Sequence, residues 1–310
     1  MAEITAKMVK DLRTKTGAGM MDCKKALVKA NGDLDKAVEE LRKAGLANAD
    51  KKGSRNAAEG VVNIHISDDY KTATISEINC ETDFVAKNAD FQEFVTATTE
   101  QIQKTEPVDV EALLNGEFKG ATFEEELKTI IAKIGENIVI RRFATIKADE
   151  NGVVNGYVHM GGKVGVVVAA ACDKPETAEA VKDILKDIAM HAAAMAPKYL
   201  NPESIPVEDI EKEVEIAKAQ LLKEGKPEQI IEKIIPGKIK RFEADNCLTK
   251  QAFVKDDKKT VEQVLSDAAK AVGGEAKLAE YIRYEMGEGL TKNGCTLAAE
   301  VEATLGSLKS

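Results

Sequence analysis

Gly60-Val61-Val62-Asn63 recurs 92 residues later as Gly152-Val153-Val154-Asn155, and this repeat sets the expected fold. Each tetrapeptide opens a stretch of alternating apolar residues, the pattern of a half-buried strand. After the first, Val62, Ile64 and Ile66 lead to a turn at Asp68-Asp69-Tyr70, and Ala73, Ile75 and the run to Cys80 return as the second arm of a β-hairpin. Helices are predicted at about Asp90 to Gln103, where Asp90 and Glu93 have capping-box spacing, and at Thr122 to Ile134. A strand over Ile138 to Ile146 closes the unit. After the second tetrapeptide the order repeats, with a hairpin of Val153 to Met160 and Lys163 to Ala170, then a helix from Glu176 to Met195. Ile140-Arg141 of the closing strand is matched by Ile282-Arg283, now 142 residues on, so the second copy is predicted to hold an insertion of about 50 residues.

That insertion lies between Pro202 and Phe242, where Glu, Lys and Ile dominate. Ile210, Val214, Ala217 and Leu221 recur at helical spacing, Gly225-Lys226-Pro227 stops and restarts the helix, and Ile231, Ile235, Ile239 and Phe242 continue it. The reading is a protruding antiparallel helical hairpin, whose apolar seam is buried internally or in a homodimer. Pro236 predicts a kink or an early end of the second helix, because its ring excludes a backbone hydrogen bond. The tail, 291–310, holds one short amphipathic pattern, Leu297, Val301 and Leu305, too short to be a stable helix by itself.

Ahead of the repeat lies a small basic head. Residues 1–55 carry 13 basic and 8 acidic side chains, while the whole 310-residue chain carries 44 and 53, for a net charge of −9. Three short helices are predicted there: one capped by Thr5 with Met8, Val9 and Leu12 inward and broken at Thr16-Gly17-Ala18-Gly19, a second from Asp22 to Asn31, and a third after Gly32 and the cap Asp33. Asn48 to Glu59 is expected to be a linker. The basic head fits docking on an acidic protein or on RNA, or is a solvated helix face.

Composition excludes several classes. The overall acidity disfavours a general nucleic-acid binder, which needs a basic face. No apolar run approaches the roughly 20 residues that span a bilayer, and Met1 to Leu12 lacks a signal-peptide pattern, so a soluble cytoplasmic protein is expected. Cys23, Cys80, Cys172, Cys247 and Cys295 are too widely spaced for a metal knuckle and odd in number, which favours reduced thiols. Gly161-Gly162-Lys163 lacks the spacing of a phosphate-binding loop, so no direct nucleotide binding is expected. His65, His159 and His191 are isolated, with no zinc spacing. No nucleophile motif is present, and an enzyme would need a site assembled from distant residues.

The most informative peptide is Asn79-Cys80-Glu81-Thr82-Asp83-Phe84-Val85-Ala86-Lys87-Asn88. Thr82 can cap a single helical turn, putting Asp83 and Phe84 at its exposed start. Phe84 then either folds back beneath the hairpin, as most Phe side chains do, or stands out as a wedge worth roughly 1.5 to 3 kcal/mol when buried in a partner's groove. The residues leave both readings open.

Three strings carry a resemblance: Thr16-Gly17-Ala18-Gly19-Met20-Met21-Asp22-Cys23-Lys24-Lys25-Ala26-Leu27, the peptide Thr82 to Asn88, and Lys133-Ile134-Gly135-Glu136-Asn137-Ile138. In this order they resemble the bacterial translation elongation factor Ts family, across essentially the whole chain. The resemblance implies an α+β fold: a three-helix module similar to ubiquitin-associated domains (1–55), one core subdomain (56–148), a related second one (149–200 and 244–289), the inserted helical hairpin (201–243) and a C-terminal helical module (290–310). It implies a guanine nucleotide exchange factor for the GTPase elongation factor Tu, working without cofactor, metal or covalent chemistry. Met20, Met21 and Lys24 would contact the GTPase's G domain, as would Gly135, His159 and the C-terminal module. Thr82, Asp83, Phe84 and Val85 match the segment associated with displacing Mg2+ from the partner, with Phe84 entering between G-domain helices. The family's LxxQPFV segment reads Leu248-Thr249-Lys250-Gln251-Ala252-Phe253-Val254 here, with Ala252 in place of proline. The rival from another class is a binding module whose basic head recognises RNA or a ubiquitin-like surface.

Overall fold

Thr5 starts the first helix, its hydroxyl oxygen accepting the Met8 N–H at 3.3 Å. The computed structural model describes residues 4–290, and the predicted tail helix lies outside them, as do Cys295 and all of the C-terminal module but Leu290. Helix α1 (Ala6–Thr16) ends at Gly17, whose φ of 68° is the left-handed stop. Helix α2 (Met20–Lys29) begins two residues earlier than expected, because extended Gly19 rather than Met21 precedes its first turn. Asp33 accepts from the N–H groups of Asp35 and Lys36 and starts α3 (Leu34–Lys52). Val9, Leu12, Cys23, Ala26, Leu27, Ala30 and Ala37 fill the small core between these helices.

The expected linker is shorter than Asn48 to Glu59, since α3 continues to Lys52. Ala and Lys are good helix formers, and Ala49 is buried in the next hydrophobic core, so tertiary packing extends the helix.

The chain then forms β1 (Glu59–Ile66) and β2 (Thr72–Cys80), a one-turn helix α4 (Asp83–Ala86), α5 (Ala89–Thr105), α6 (Val110–Asn115), a two-residue hairpin of β3 (Glu117–Phe118) and β4 (Ala121–Thr122), α7 (Phe123–Ile134) and β5 (Ile138–Lys147). Strand β5 lies antiparallel to β2 in a sheet of order β1-β2-β5. Thr122 and Glu125 form a full capping box on α7. Asp90 does not cap α5. Asn88 does so, accepting from Asp90 N and Phe91 N, and the Asp90 carboxylate instead meets Lys133 Nζ at 2.7 Å. The prediction misplaced the cap because Asn88 and Asp90 are both good caps, two residues apart.

Next come β6 (Val153–His159), β7 (Val164–Cys172), α8 (Pro175–Met195), α9 (Val207–Lys223), α10 (Glu228–Asn246), β8 (Ala252–Phe253), β9 (Asp256–Thr260), α11 (Val261–Ala271) and β10 (Ala276–Glu285). The second sheet has the order β10-β7-β6. Val61 faces Ile78 in the first sheet and Val153 faces Ala170 in the second, both partners 92 residues on. In the third strands Ile78 faces Ile140 and Ala170 faces Leu278, each beside a register shift of one residue. By register Ile140 therefore corresponds to Leu278, 138 residues on, and not to Ile282. The offset grows by 46 residues rather than 50, because the chance likeness of Ile140-Arg141 to Ile282-Arg283 is out of register by four.

The sheets pack on each other through Val62, Ala73, Ile75, Val154, Val167 and Ala169. Helices α5 and α7 cover the outer face of the first sheet, and α8 and α11 that of the second. Bare backbone makes the sheet contact close: a Cβ at Gly165 would stand 2.5 Å from Val62 Cγ1, and Val62 N donates to the Gly162 carbonyl at 2.7 Å. At the rim, the fully buried Glu77 carboxylate accepts from Arg141 at 2.8 Å, Arg142 at 2.7 Å and Gly287 N at 2.8 Å.

The hairpin of α9 and α10 buries Ala217, Leu221 and Ile231 in its seam. Helix α10 does not end early at Pro236. The carbonyl that loses its donor there belongs to Glu232, an exposed residue that water can serve, so the usual penalty is softened.

Candidate partner-binding surface

Thr82 leaves β2 in extended conformation, and its hydroxyl oxygen accepts the Val85 N–H at 3.3 Å, which starts α4. This single turn points two ways. Ala86 is 6% exposed and packs in the core with Phe91 and Ile78, whereas Phe84 is 81% exposed. Of the two readings open for Phe84, the structure takes the protruding one. The reason is periodicity: with Val85 and Ala86 turned to the core, Phe84 falls on the opposite side of the turn.

The turn is anchored from the α7–β5 loop. Gly135, with φ 91°, ends α7 in the left-handed region and lets the chain reverse into Glu136. The Glu136 carboxylate accepts from Glu81 N at 3.1 Å, Thr82 N at 3.0 Å and the Thr82 hydroxyl at 2.7 Å. In return the Glu81 carboxylate accepts Asn137 N at 2.6 Å and lies 3.5 Å from the Arg55 guanidinium. Asp83 pairs with Lys87 at 2.8 Å, and that hydrogen bond, helped by the charges of Lys87 and Lys163, holds its carboxyl below the usual range. The β6–β7 turn, which follows His159, is fastened to β1: Lys163 Nζ donates to Glu59 Oε2 at 2.9 Å and the Gly162 carbonyl accepts from Val62 N at 2.7 Å.

His159 lies at the end of β6, its Nδ1 3.1 Å from the Tyr157 hydroxyl, and Met160 beside it is exposed. Met20 and Met21, 59% and 63% exposed, and exposed Lys24 lie on α2. Gly19, which precedes that helix, and Asp22 within it share a groove of about 630 Å3 with Lys133 and Gly135, so the start of α2 and the Gly135 turn border one surface. The predicted site residues thus fall into two neighbourhoods around Gly135, one on the head and one at α4, with His159 reached through its turn. Glu81, Glu136 and Arg55 received no role from the sequence. Both glutamates stand inside or beside the strings that carry the resemblance, but their partners are about 55 residues away in sequence, which no local pattern reveals.

Burial, and secondly the Glu136 charge, push the Cys80 thiol up to about 12, so it is not a nucleophile at neutral pH. Among the described residues no cluster of three or more His, Cys, Asp or Glu side chains could hold a metal ion, and no helix is long and apolar enough to cross a membrane. The surface offers an exposed aromatic on a held turn, with further exposed apolar side chains at Met20 and Met21 of α2 and at Met160 after β6.

Comparison with known proteins places the whole chain among its relatives. A family model described as Elongation factor TS matches residues 81–288. The chain is 67% identical over 306 residues to Elongation factor Ts of Nautilia profundicola, covering 98% of this chain and 100% of that protein. It is 58% identical over 302 residues to Elongation factor Ts of a Nitratiruptor species, covering 97% and 99%. With Elongation factor Ts of Clostridium novyi it shares 47% over 302 residues, covering 96% and 98%. With a match that begins at the Glu81 anchor of the Phe84 turn and relatives aligned nearly end to end, this chain belongs to the elongation factor Ts family of translation elongation factors.

Proposed function

We propose that the chain is a guanine nucleotide exchange factor for the GTPase elongation factor Tu, and that Phe84 is the wedge that loosens the nucleotide. The observation that carries this reading is the 81% exposure of Phe84 on a turn whose other side is built into the core. Exposed aromatics on held backbone are suited to entering a partner's groove, since they bring large apolar area at small entropic cost. Thr82 caps the turn, Val85 seats it, and Asp83 is presented beside the wedge. Met20, Met21 and Lys24 of the head, with Gly135 and His159 of the core, supply further contacts to the G domain.

Exchange then follows from linkage. Whatever factor the protein takes from nucleotide affinity, nucleotide takes from the protein's own affinity, so a transient ternary complex forms and decays either way. The wedge favours a G-domain state in which Mg2+ and the phosphate cradle are poorly arranged. Phosphate charge without its metal is then uncompensated, and GDP leaves. No covalent step by this chain is involved.

The domain boundaries read from the sequence, and the origin of the two sheets as copies of one unit, belong to the same proposal, supported by the shared offset of 92 in the hairpins. So does a homodimer through the helical hairpin, supported by exposed Ile216, Leu222 and Ile230, which the internal seam leaves uncovered.

Release of a fluorescent GDP analogue from elongation factor Tu, chased with excess GDP, tests the function. The expected result is faster release that saturates with added protein; release unchanged by a molar excess overturns the proposal.

A further inference from the structure

We propose that Glu136 is the positioning residue that aims Phe84, acting with Glu81 as a two-way clamp between the α7–β5 loop and the turn of α4. The proposal rests on the exchange reading above. A helix of four residues cannot persist by itself, because nucleation fixes several residues for a single hydrogen bond. Something outside it must hold the turn.

Glu136 collects the donors that precede the helix. Its carboxylate accepts from two successive backbone N–H groups, those of Glu81 and Thr82, and from the Thr82 hydroxyl. The 2.7 Å hydroxyl bond has a second consequence. It commits the Thr82 proton to Glu136 and leaves the oxygen lone pairs free for the Val85 N–H, the bond that closes the turn. Bonds to an ionised carboxylate are stronger than neutral ones, so this anchor outweighs the cap it supports.

Glu81 returns the grip. Its carboxylate takes the Asn137 N–H and faces Arg55, while the Asn137 side-chain amide donates to the Arg55 carbonyl at 2.8 Å. Arg55 stands in the short segment between α3 and β1, so the clamp also ties the wedge to the connection leading from the head. Phe84 itself belongs to neither bond set. Glu136 would thus act on exchange through the direction in which Phe84 points, without touching the partner.

The test is a double-mutant cycle in the full chain with elongation factor Tu, using Glu136→Ala, Glu136→Gln and Phe84→Ala. Both the maximal rate of GDP release and the protein concentration at half-maximum are read. Expected is a fall of about tenfold in maximal rate for Glu136→Ala, a smaller fall for Glu136→Gln, which keeps an acceptor for the N–H pair, and little further loss when Glu136→Ala is added to Phe84→Ala. Equal losses in both backgrounds would mean a general structural role and overturn the proposal, as would parent-like rates for Glu136→Ala. If Glu136→Ala does not fold, the Gln variant carries the same cycle, and parent-like rates or equal losses with it overturn the proposal as well. Release unaffected by Phe84→Ala sinks the wedge reading itself. Release slowed by Phe84→Ala but untouched by the Glu136 variants sinks only the clamp.

Discussion

Phe84 and Ala86 occupy opposite sides of one helical turn, the first 81% and the second 6% exposed. Function and stability at this site are therefore separable by substitution. Phe84→Ala removes no core contact and is expected to change unfolding free energy by less than about 0.5 kcal/mol. It should nonetheless slow stimulated GDP release by roughly tenfold or more, the kinetic equivalent of losing the roughly 1.5 to 3 kcal/mol that a buried Phe contributes. Stopped-flow release with elongation factor Tu and urea unfolding of the free chain read the two effects. Release as fast as with the parent removes the wedge assignment.

The buried carboxylate of Glu77 makes the opposite prediction. Its single negative charge is shared between Arg141 and Arg142, and both arginines also reach Glu288 after β10, Arg141 at its carbonyl and Arg142 at its carboxylate. Glu77→Ala would leave two guanidinium groups without their shared anion at the junction of both sheets. Breaking a buried pair by removing one partner costs about 3 to 5 kcal/mol, and the lower end applies because both arginines keep partial access to water. A shift of the urea midpoint corresponding to less than about 1 kcal/mol would show that the cluster relaxes without loss.

Much of this was legible along the chain, for physical reasons that differ by element. Thr5, Asp33 and Thr82 are legible as caps and all three accept backbone N–H groups, because a cap is decided by residues within three positions of it. The hairpins were legible because strand alternation has a period of two and the turns are short. Three readings missed where the deciding partner is distant. The end of α3 depends on Ala49 packing into another core, and of the two local cap candidates of α5 it is distant Lys133 of α7 that engages Asp90, while Asn88 caps. The correspondence of Ile140 depends on a register shift that a sequence match cannot see. The site divides likewise: Thr82 announced the turn, whereas Glu136, which holds it, is linked to Thr82 only by the fold. Small α6 and the β3–β4 hairpin went unread because each is too short to carry a period.

The helical hairpin gives a third prediction. Its seam buries Ala217, Leu221 and Ile231 but leaves Ile216, Leu222 and Ile230 in solvent, so its apolar surface exceeds what the two helices cover. Replacing residues 210–240 by a short glycine-serine linker should leave release from a one-to-one pair within about twofold, because neither Phe84 nor the head is disturbed. The same change should take the free protein in light scattering from the mass of two chains to that of one shortened chain. An unchanged number of chains per particle removes the dimer proposal.

His191 provides a pH dependence whose sign can be fixed. It is fully buried in α8, its Nδ1 accepting the Val254 N–H at 3.2 Å, which leaves the Nε2 proton to be donated to Gln251 Oε1 at 3.0 Å. The neutral ring therefore fastens the Leu248 to Val254 segment to the helix. Burial lowers its pKa from the ordinary 6.5, only partly offset by the Gln251 bond. A second ring proton would also face the Val254 donor. In the unfolded chain the imidazole titrates near 6.5, so its contribution is whole above that pH. As pH falls through 6.5 the unfolded state gains a proton that the folded state refuses, and stability declines by at most about 1.4 kcal/mol per pH unit until the lower folded value is reached. Carboxylates add their own slope, which a comparison cancels. Urea unfolding of the parent and of His191→Gln between pH 7.5 and 5 should show the parent losing its advantage on acidification; parallel curves would mean that His191 is not the group being titrated.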